Sequence, residues 1–268
     1  MRKLKAILLL AYALLSAWAL LAIYLKWKYP VYLTPVSTLV GFMFVLLHAG
    51  GSLGWRRSIL LLALSTGISL AMESIGVATG LVYGPYHYTD RLGPLFLGLV
   101  PYLIPVAWFL MMYPSLVIAS KLIGSPSGIG KMLLVAAVGG VVMTSWDLVM
   151  DPAMVLGGHW VWDGPQASRV YFGIPLQNFW GWWLTTFLVF ITYLFITRNW
   201  HKVINPNPDR QAAVMYALTG GSSVLSAFLM GLIYPALIGL LAMLPWAVAG
   251  LLPTRDVQSG KRLKTTWF

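Results

Sequence analysis

Glu73, Asp147 and Asp151 are the residues of this chain best placed to do chemistry, because they stand within or just beyond apolar runs, 59–80 and 132–150, that a membrane would otherwise claim. The 268 residues include only seven Asp and Glu. A carboxylate at the centre of a spanning helix costs roughly 2.5–3.5 kcal/mol on insertion scales, and such groups normally face a bundle interior and serve chemistry, transport or pairing. Helical spacing assigns them faces: Ser69, Glu73, Gly76 and Gly80 share one, and Gly140, Thr144, Asp147 and Asp151 share another. Small residues let helices approach closely, so Glu73 is expected to face protein. The two aspartates stack one turn apart, within reach of a common proton or water. Structural readings stay open beside the chemical ones. Asp151 before Pro152 has the pattern of an N-cap followed by proline at the first helical position. Asp147 and Glu73 could each be neutral hydrogen-bonding links between helices.

Two segments between apolar runs interleave aromatic rings with turn residues. One carries Tyr83, Tyr86, His87 and Tyr88; the other carries Trp160 and Trp162. An interfacial aromatic belt accounts for Trp182, Trp183, Trp200, Trp246 and Trp267. For Tyr83, Tyr86, Tyr88, Trp160 and Trp162 a second reading is equally open: the Gly-Pro turns fold these segments back over the bundle as a lid on a cavity. Trp146 adjoins Asp147. Gln177 and Asn178 open the sixth apolar run, where they could cap a helix. Asp90 with Arg91 reads as a solvated pair, and Asp163 as a loop residue.

Several chemistries are disfavoured. The chain has no cysteine, hence no thiolate nucleophile, disulfide or cysteine-ligated metal. His48, His87, His159 and His201 form no clustered histidine boxes, so no metal is expected. No glycine-rich dinucleotide or nucleotide-phosphate motif occurs, and no cofactor is expected. Acid–base chemistry on an apolar substrate remains.

The elements that must hold these residues follow from composition. With 59% hydrophobic and 9% charged residues and a mean hydropathy of +0.79, the chain is an all-α, polytopic membrane helix bundle. Apolar stretches long enough to cross about 30 Å of hydrocarbon lie at 4–25, 33–53, 58–80, 94–121, 131–151, 176–197, 211–231 and 233–252. That predicts about eight transmembrane helices, seven being possible, with the last two joined tightly around Tyr234 and Pro235. The first run is longer than a cleaved signal segment and is expected to be retained. Of 18 Lys and Arg, 14 fall on the N-terminal side of this topology and 4 on the other. The positive-inside rule then puts both termini in the cytoplasm, with the three acids and both aromatic segments toward the outer leaflet. Net charge +11 is scattered over loops and not gathered in a stripe, so anionic lipid is the expected counter-charge and nucleic acid is not. Residues 1–268 are read as a single integral domain of the cytoplasmic membrane.

From about 71 to 192 the chain resembles a known family. Glu73, the run Tyr83-Gly-Pro-Tyr-His-Tyr88, Pro101 through Pro114-Ser115, Trp146-Asp-Leu-Val-Met-Asp-Pro152 and Tyr171-Phe-Gly-Ile-Pro-Leu-Gln-Asn-Phe-Trp-Gly-Trp182 together resemble the CruF-type carotenoid hydratases, of the bisanhydrobacterioruberin hydratase and γ-carotene 1′-hydroxylase type. The resemblance implies a cofactor-independent enzyme that adds water across the terminal isopropylidene double bond of an acyclic carotenoid, giving a tertiary alcohol. Its partners would be that carotenoid, water, membrane lipids and other membrane enzymes of a carotenoid pathway.

Such an alkene is a very weak base. Protonating it demands a neutral carboxylic acid in a dry site and stabilisation of the tertiary carbocation that forms. On the residues alone, Asp147 is expected to donate the proton, with Asp151 or Glu73 as the carboxylate that orients water. Aromatic faces could steady the cation by roughly 0.5–2 kcal/mol each, while Asn178 and His87 are candidates for holding the water. A carotenoid cyclase, an intramembrane prenyltransferase using Asp-x-x-x-Asp and Mg²⁺, and a proton-coupled or carotenoid-binding carrier are the alternatives.

Overall fold

A computed structural model describes residues 2–28, 30, 32–165, 170–200 and 210–253. Among these, eight helices are long and apolar enough to span a membrane: α1 (Arg2–Tyr24), α2 (Leu33–Leu53), α3 (Trp55–Thr79), α4 (Leu103–Ile123), α5 (Ile129–Leu156), α6 (Leu176–Thr197), α7 (Gln211–Leu229) and α8 (Ile233–Leu251). The last two are separate helices, divided at a turn where Gly231 takes φ 84°. Burial is inverted relative to a soluble protein. Leu10, Leu14 and Leu21 on α1 and Leu237, Leu241 and Leu244 on α8 lie exposed, the apolar surface that hydrocarbon would cover. α4 is the central element, buried almost continuously from Trp108 to Ser120 and packed on α2, α3, α5 and α7.

Two expected boundaries move. The fourth helix begins at Leu103 rather than 94, because β2 (Leu95–Phe96) and β3 (Val100–Pro101) form a small hairpin there. Leu97 and Gly98 both adopt positive φ, 50° and 70°, and Leu99 donates its N–H to the Phe96 carbonyl at 2.9 Å. Two successive residues of that kind form the tight turn whose twist suits a hairpin.

The fifth helix runs through Pro152 to Leu156, so Asp151 is an interior residue and not an N-cap. Proline has no N–H to give the carbonyl four residues before it, a loss that ordinarily breaks a helix. Here the hydroxyl of Tyr171 donates to that carbonyl, Leu148, at 2.8 Å.

The aromatic segments fold back on the bundle as one unit. β1 (Tyr86–Tyr88) pairs antiparallel with β4 (Trp160–Trp162), with Tyr86 opposite Trp162, His87 opposite Val161 and Tyr88 opposite Trp160. Thr89 extends the ribbon through its N–H to the His159 carbonyl at 3.0 Å. The Arg91 guanidinium donates to the Gly157 carbonyl at 2.6 Å. Arg91 is therefore tied to the end of α5 and not paired with Asp90; among the described residues the ion pair is His87–Asp163, at 2.8 Å.

Candidate active site

Period-two alternation decides what the ribbon shows the bundle. Tyr86, Tyr88, Trp160 and Trp162 line a cavity of about 210 Å³, whereas His87 and Val161 point outward and are exposed. His87 is thus a departure from expectation: it occupies the odd position of the strand and binds Asp163 outside the cavity. The ribbon roofs the chamber, and helices α1 to α7 supply its walls, α3 through Glu73.

Tyr83 locks the ribbon to the helices. Its ring fits between two glycines: a Cβ on Gly76 of α3 would stand 2.7 Å from Tyr83 Cδ2, and one on Gly181 of α6 would stand 2.5 Å from Cδ1. Its hydroxyl pairs with Thr185 at 2.9 Å. Gly76, one of the small residues on the Glu73 face, thereby makes room for the lid rings of Tyr83 and Tyr86 and not for a helix.

Glu73, buried on α3, gathers three donors. Tyr86 and Tyr88 direct their hydroxyls at Oε2, and the indole of Trp108 on α4 donates to Oε1 at 2.9 Å. Each carboxyl oxygen is thus hydrogen-bonded, as a buried polar group requires. Asp151, also buried, accepts from the Trp160 indole at 2.7 Å and from Asn178 Nδ2 at 2.8 Å. The same Asn178 nitrogen donates to Asp147 Oδ2 at 2.7 Å. A primary amide has two hydrogens, and Asn178 gives one to each aspartate. It bridges the pair; the N-cap of α6 is Pro175, with no side-chain cap.

Glu73, Asp151 and Asn178 line the chamber. Asp147 does not. It lies fully buried behind the wall, with Oδ1 unpartnered, because on α5 it sits one turn deeper than Asp151.

Three indoles complete the interior. Trp182 of α6 stacks on Trp108 of α4, centroids 4.2 Å apart and planes at 26°, and Trp146 of α5 meets Trp182 edge-on at 5.9 Å. Trp182 therefore belongs to the chamber and not to an interfacial belt. Neither it nor Trp108 stands out in the sequence, since their meeting depends on how α4 and α6 cross. Trp246 donates to Ser145 at 3.0 Å, a helix–helix link. On the remaining wall, Tyr12 of α1 bonds Thr219 of α7 at 3.0 Å, and Trp146 bonds Ser223 at 3.0 Å. His201 and Trp267 lie outside the described residues.

Burial keeps the His159 imidazole below its ordinary value, a shift that Arg91 reinforces and the Met154 carbonyl opposes. It is absent from the chamber lining.

The arrangement can present Asp151, backed by Asp147, and the separately hydrogen-bonded Glu73 to an apolar guest surrounded by aromatic faces. Comparison with known proteins agrees in kind. Residues 33–245 match the model of a family described as carotenoid biosynthesis protein. A stretch of 130 residues is 35% identical to bisanhydrobacterioruberin hydratase of Haloarcula japonica, covering 48% of this chain and 42% of that protein. The matched stretch thus spans under half the length of the relative. No solved structure matches. With most of its helices, the aromatic ribbon and all three buried acids inside the matched region, the chain is an integral membrane member of the carotenoid biosynthesis protein family.

Proposed function

We propose that this protein is a carotenoid hydratase, adding water to the terminal isopropylidene double bond of an acyclic carotenoid. The observation that carries the reading is the placement of Asp151 and Glu73 on the wall of one aromatic chamber roofed by the ribbon. Asp151 is the member of the aspartate pair that reaches the guest, so in this proposal it replaces Asp147 as proton donor. Two carboxyls that share one amide in a dry site tend to carry one charge between them rather than two, which leaves a proton to give. Asp147 acts through Asp151, and Asn178 holds the two in register.

The proton goes to the alkene carbon that bears hydrogen, and positive charge develops on the carbon bearing two methyl groups. Trp108, Trp146 and Trp182 offer ring faces to that cation. Water attacks it, and the surplus proton of the resulting oxonium passes to a carboxylate, with Glu73 the candidate base. One water is consumed, the carboxyl protons balance, and no redox change occurs.

Basic-residue asymmetry supports an orientation with both termini cytoplasmic and the chamber in the outer leaflet, within a single membrane domain. A magnesium-binding reading of the aspartates is less apt, since N–H donors from Asn178 and Trp160 already address Asp151. A cyclase would share the protonation step but would need the chain's own second double bond, in place of water, beside the cation.

The test is incubation of purified protein with an acyclic carotenoid under nitrogen in oxygen-labelled water. The product gains one water carrying the label. Isomerised hydrocarbon without oxygen would indicate cyclisation, and bound but unchanged substrate would indicate a carrier.

A further inference from the structure

A chamber of about 210 Å³ is smaller than the roughly 300–1,000 Å³ typical of sites that enclose a drug-sized ligand. It can hold the reacting end of a carotenoid but not the polyene behind it. The rest of the chain must leave the chamber somewhere, and it will not cross the polar ribbon into water.

A second hollow adjoins the first. It is a groove of about 810 Å³ beside α2 and α4, lined by Tyr32, Pro35, Leu39, Tyr102 and Val106, with Asp90 and Arg91 also in its lining. Leu92 and Leu103 line both the groove and the chamber. The same two helices therefore show one face inward and the neighbouring face outward. On α2, Thr34 and Thr38 face the chamber while Pro35 and Leu39 face the groove; on α4, Ile104 and Ala107 face the chamber while Val106 faces the groove. Leu92 and Leu103 are thus shared by the two hollows. Leu39 and Tyr102 are 48% and 58% exposed, on the kind of surface lipid would cover.

We propose that this groove is the lateral portal of the site: the polyene lies along it between α2 and α4, and its terminal isopropylidene passes between Leu92 and Leu103 to reach Asp151 and Glu73. The inference rests on the hydratase reading for the identity of the chain it admits. A linear, apolar, conjugated hydrocarbon suits a groove lined mainly by apolar side chains that shares Leu92 and Leu103 with a small reacting chamber.

The absence of cysteine makes the portal testable by site-directed blocking. Leu39→Cys and Tyr102→Cys place a single thiol on the groove, and Leu241→Cys, at a position 70% exposed on α8, serves as the control. Each purified variant is assayed before and after reaction with a bulky maleimide, using lycopene as the probe, and two quantities are read: polyene retained by the protein, from its visible absorbance, and gain of one water by mass. The unlabelled variant controls for folding. Labelling either groove position should lower retained lycopene at least tenfold, with hydration falling in parallel, while labelling Leu241→Cys changes neither. Unchanged retention after groove labelling, or no retention by any unlabelled variant, would overturn the portal. Retention that is sensitive to groove labelling, without any gain of water, would sustain the portal and sink the hydratase reading.

Discussion

The side-chain amide of Asn178 on α6 stands 2.8 Å from a carboxyl oxygen of Asp151 on α5, and its other hydrogen reaches Asp147 at 2.7 Å. A bond to a charged partner is worth about 1.5–3 kcal/mol, and each 1.36 kcal/mol on a barrier is tenfold in rate. Asn178→Leu, close in size but without donors, should slow water addition about 100-fold or more in purified protein. A rate within a few-fold of the parent would remove the bridge from the mechanism.

Trp160→Phe isolates a single contact. It keeps an aromatic ring on the roof but removes the indole N–H that Asp151 accepts at 2.7 Å. Hydration should fall about tenfold, with polyene retention unchanged. Equal loss of both would assign Trp160 to binding alone.

The seat of Tyr83 predicts an asymmetric pair of variants. At Gly76 the atoms that a new Cβ would meet belong to the rings of Tyr83 and Tyr86; at Gly181 the Val82 carbonyl, 2.6 Å away, adds to the Tyr83 ring. Overpacking of this kind costs about 1–3 kcal/mol. Both Gly76→Ala and Gly181→Ala should lower the melting temperature, and adding Tyr83→Leu should restore the first but not the second, because a backbone oxygen cannot be trimmed. Equal rescue of both would contradict the seat.

Tyr171 and Pro152 are coupled through the Leu148 carbonyl. Tyr171→Phe should destabilise the parent by about 1–3 kcal/mol, the cost of leaving a part-buried acceptor without a partner. In a Pro152→Ala background, where the helix can supply its own N–H, the same change should cost much less. A denaturation double-mutant cycle showing no coupling would refute this role.

Much of this architecture could be read from the chain alone. All eight helices follow from runs of apolar residues, because a spanning helix satisfies its backbone internally and its length is set by the bilayer. Spacing on one helix also placed Glu73 against protein and stacked Asp147 on Asp151. What escaped was whatever depends on two elements meeting. Trp108 and Trp182 are ordinary apolar-run residues until α4 and α6 bring their rings to 4.2 Å. Asn178 resembled a cap because its partners lie 27 and 31 residues away. His87 was drawn into the site by its neighbours, and only the pairing of β1 with β4 fixes which of three adjacent side chains turn inward. Asp147 and Asp151 share a face, but one turn of α5 separates a residue on the wall from one behind it.

The most direct test of the central claim is turnover of an acyclic carotenoid by purified Asp151→Asn in oxygen-labelled water, read by product mass alongside polyene retention. The account predicts that polyene is retained and no labelled water is added. Labelled product formed at the parent rate would contradict it.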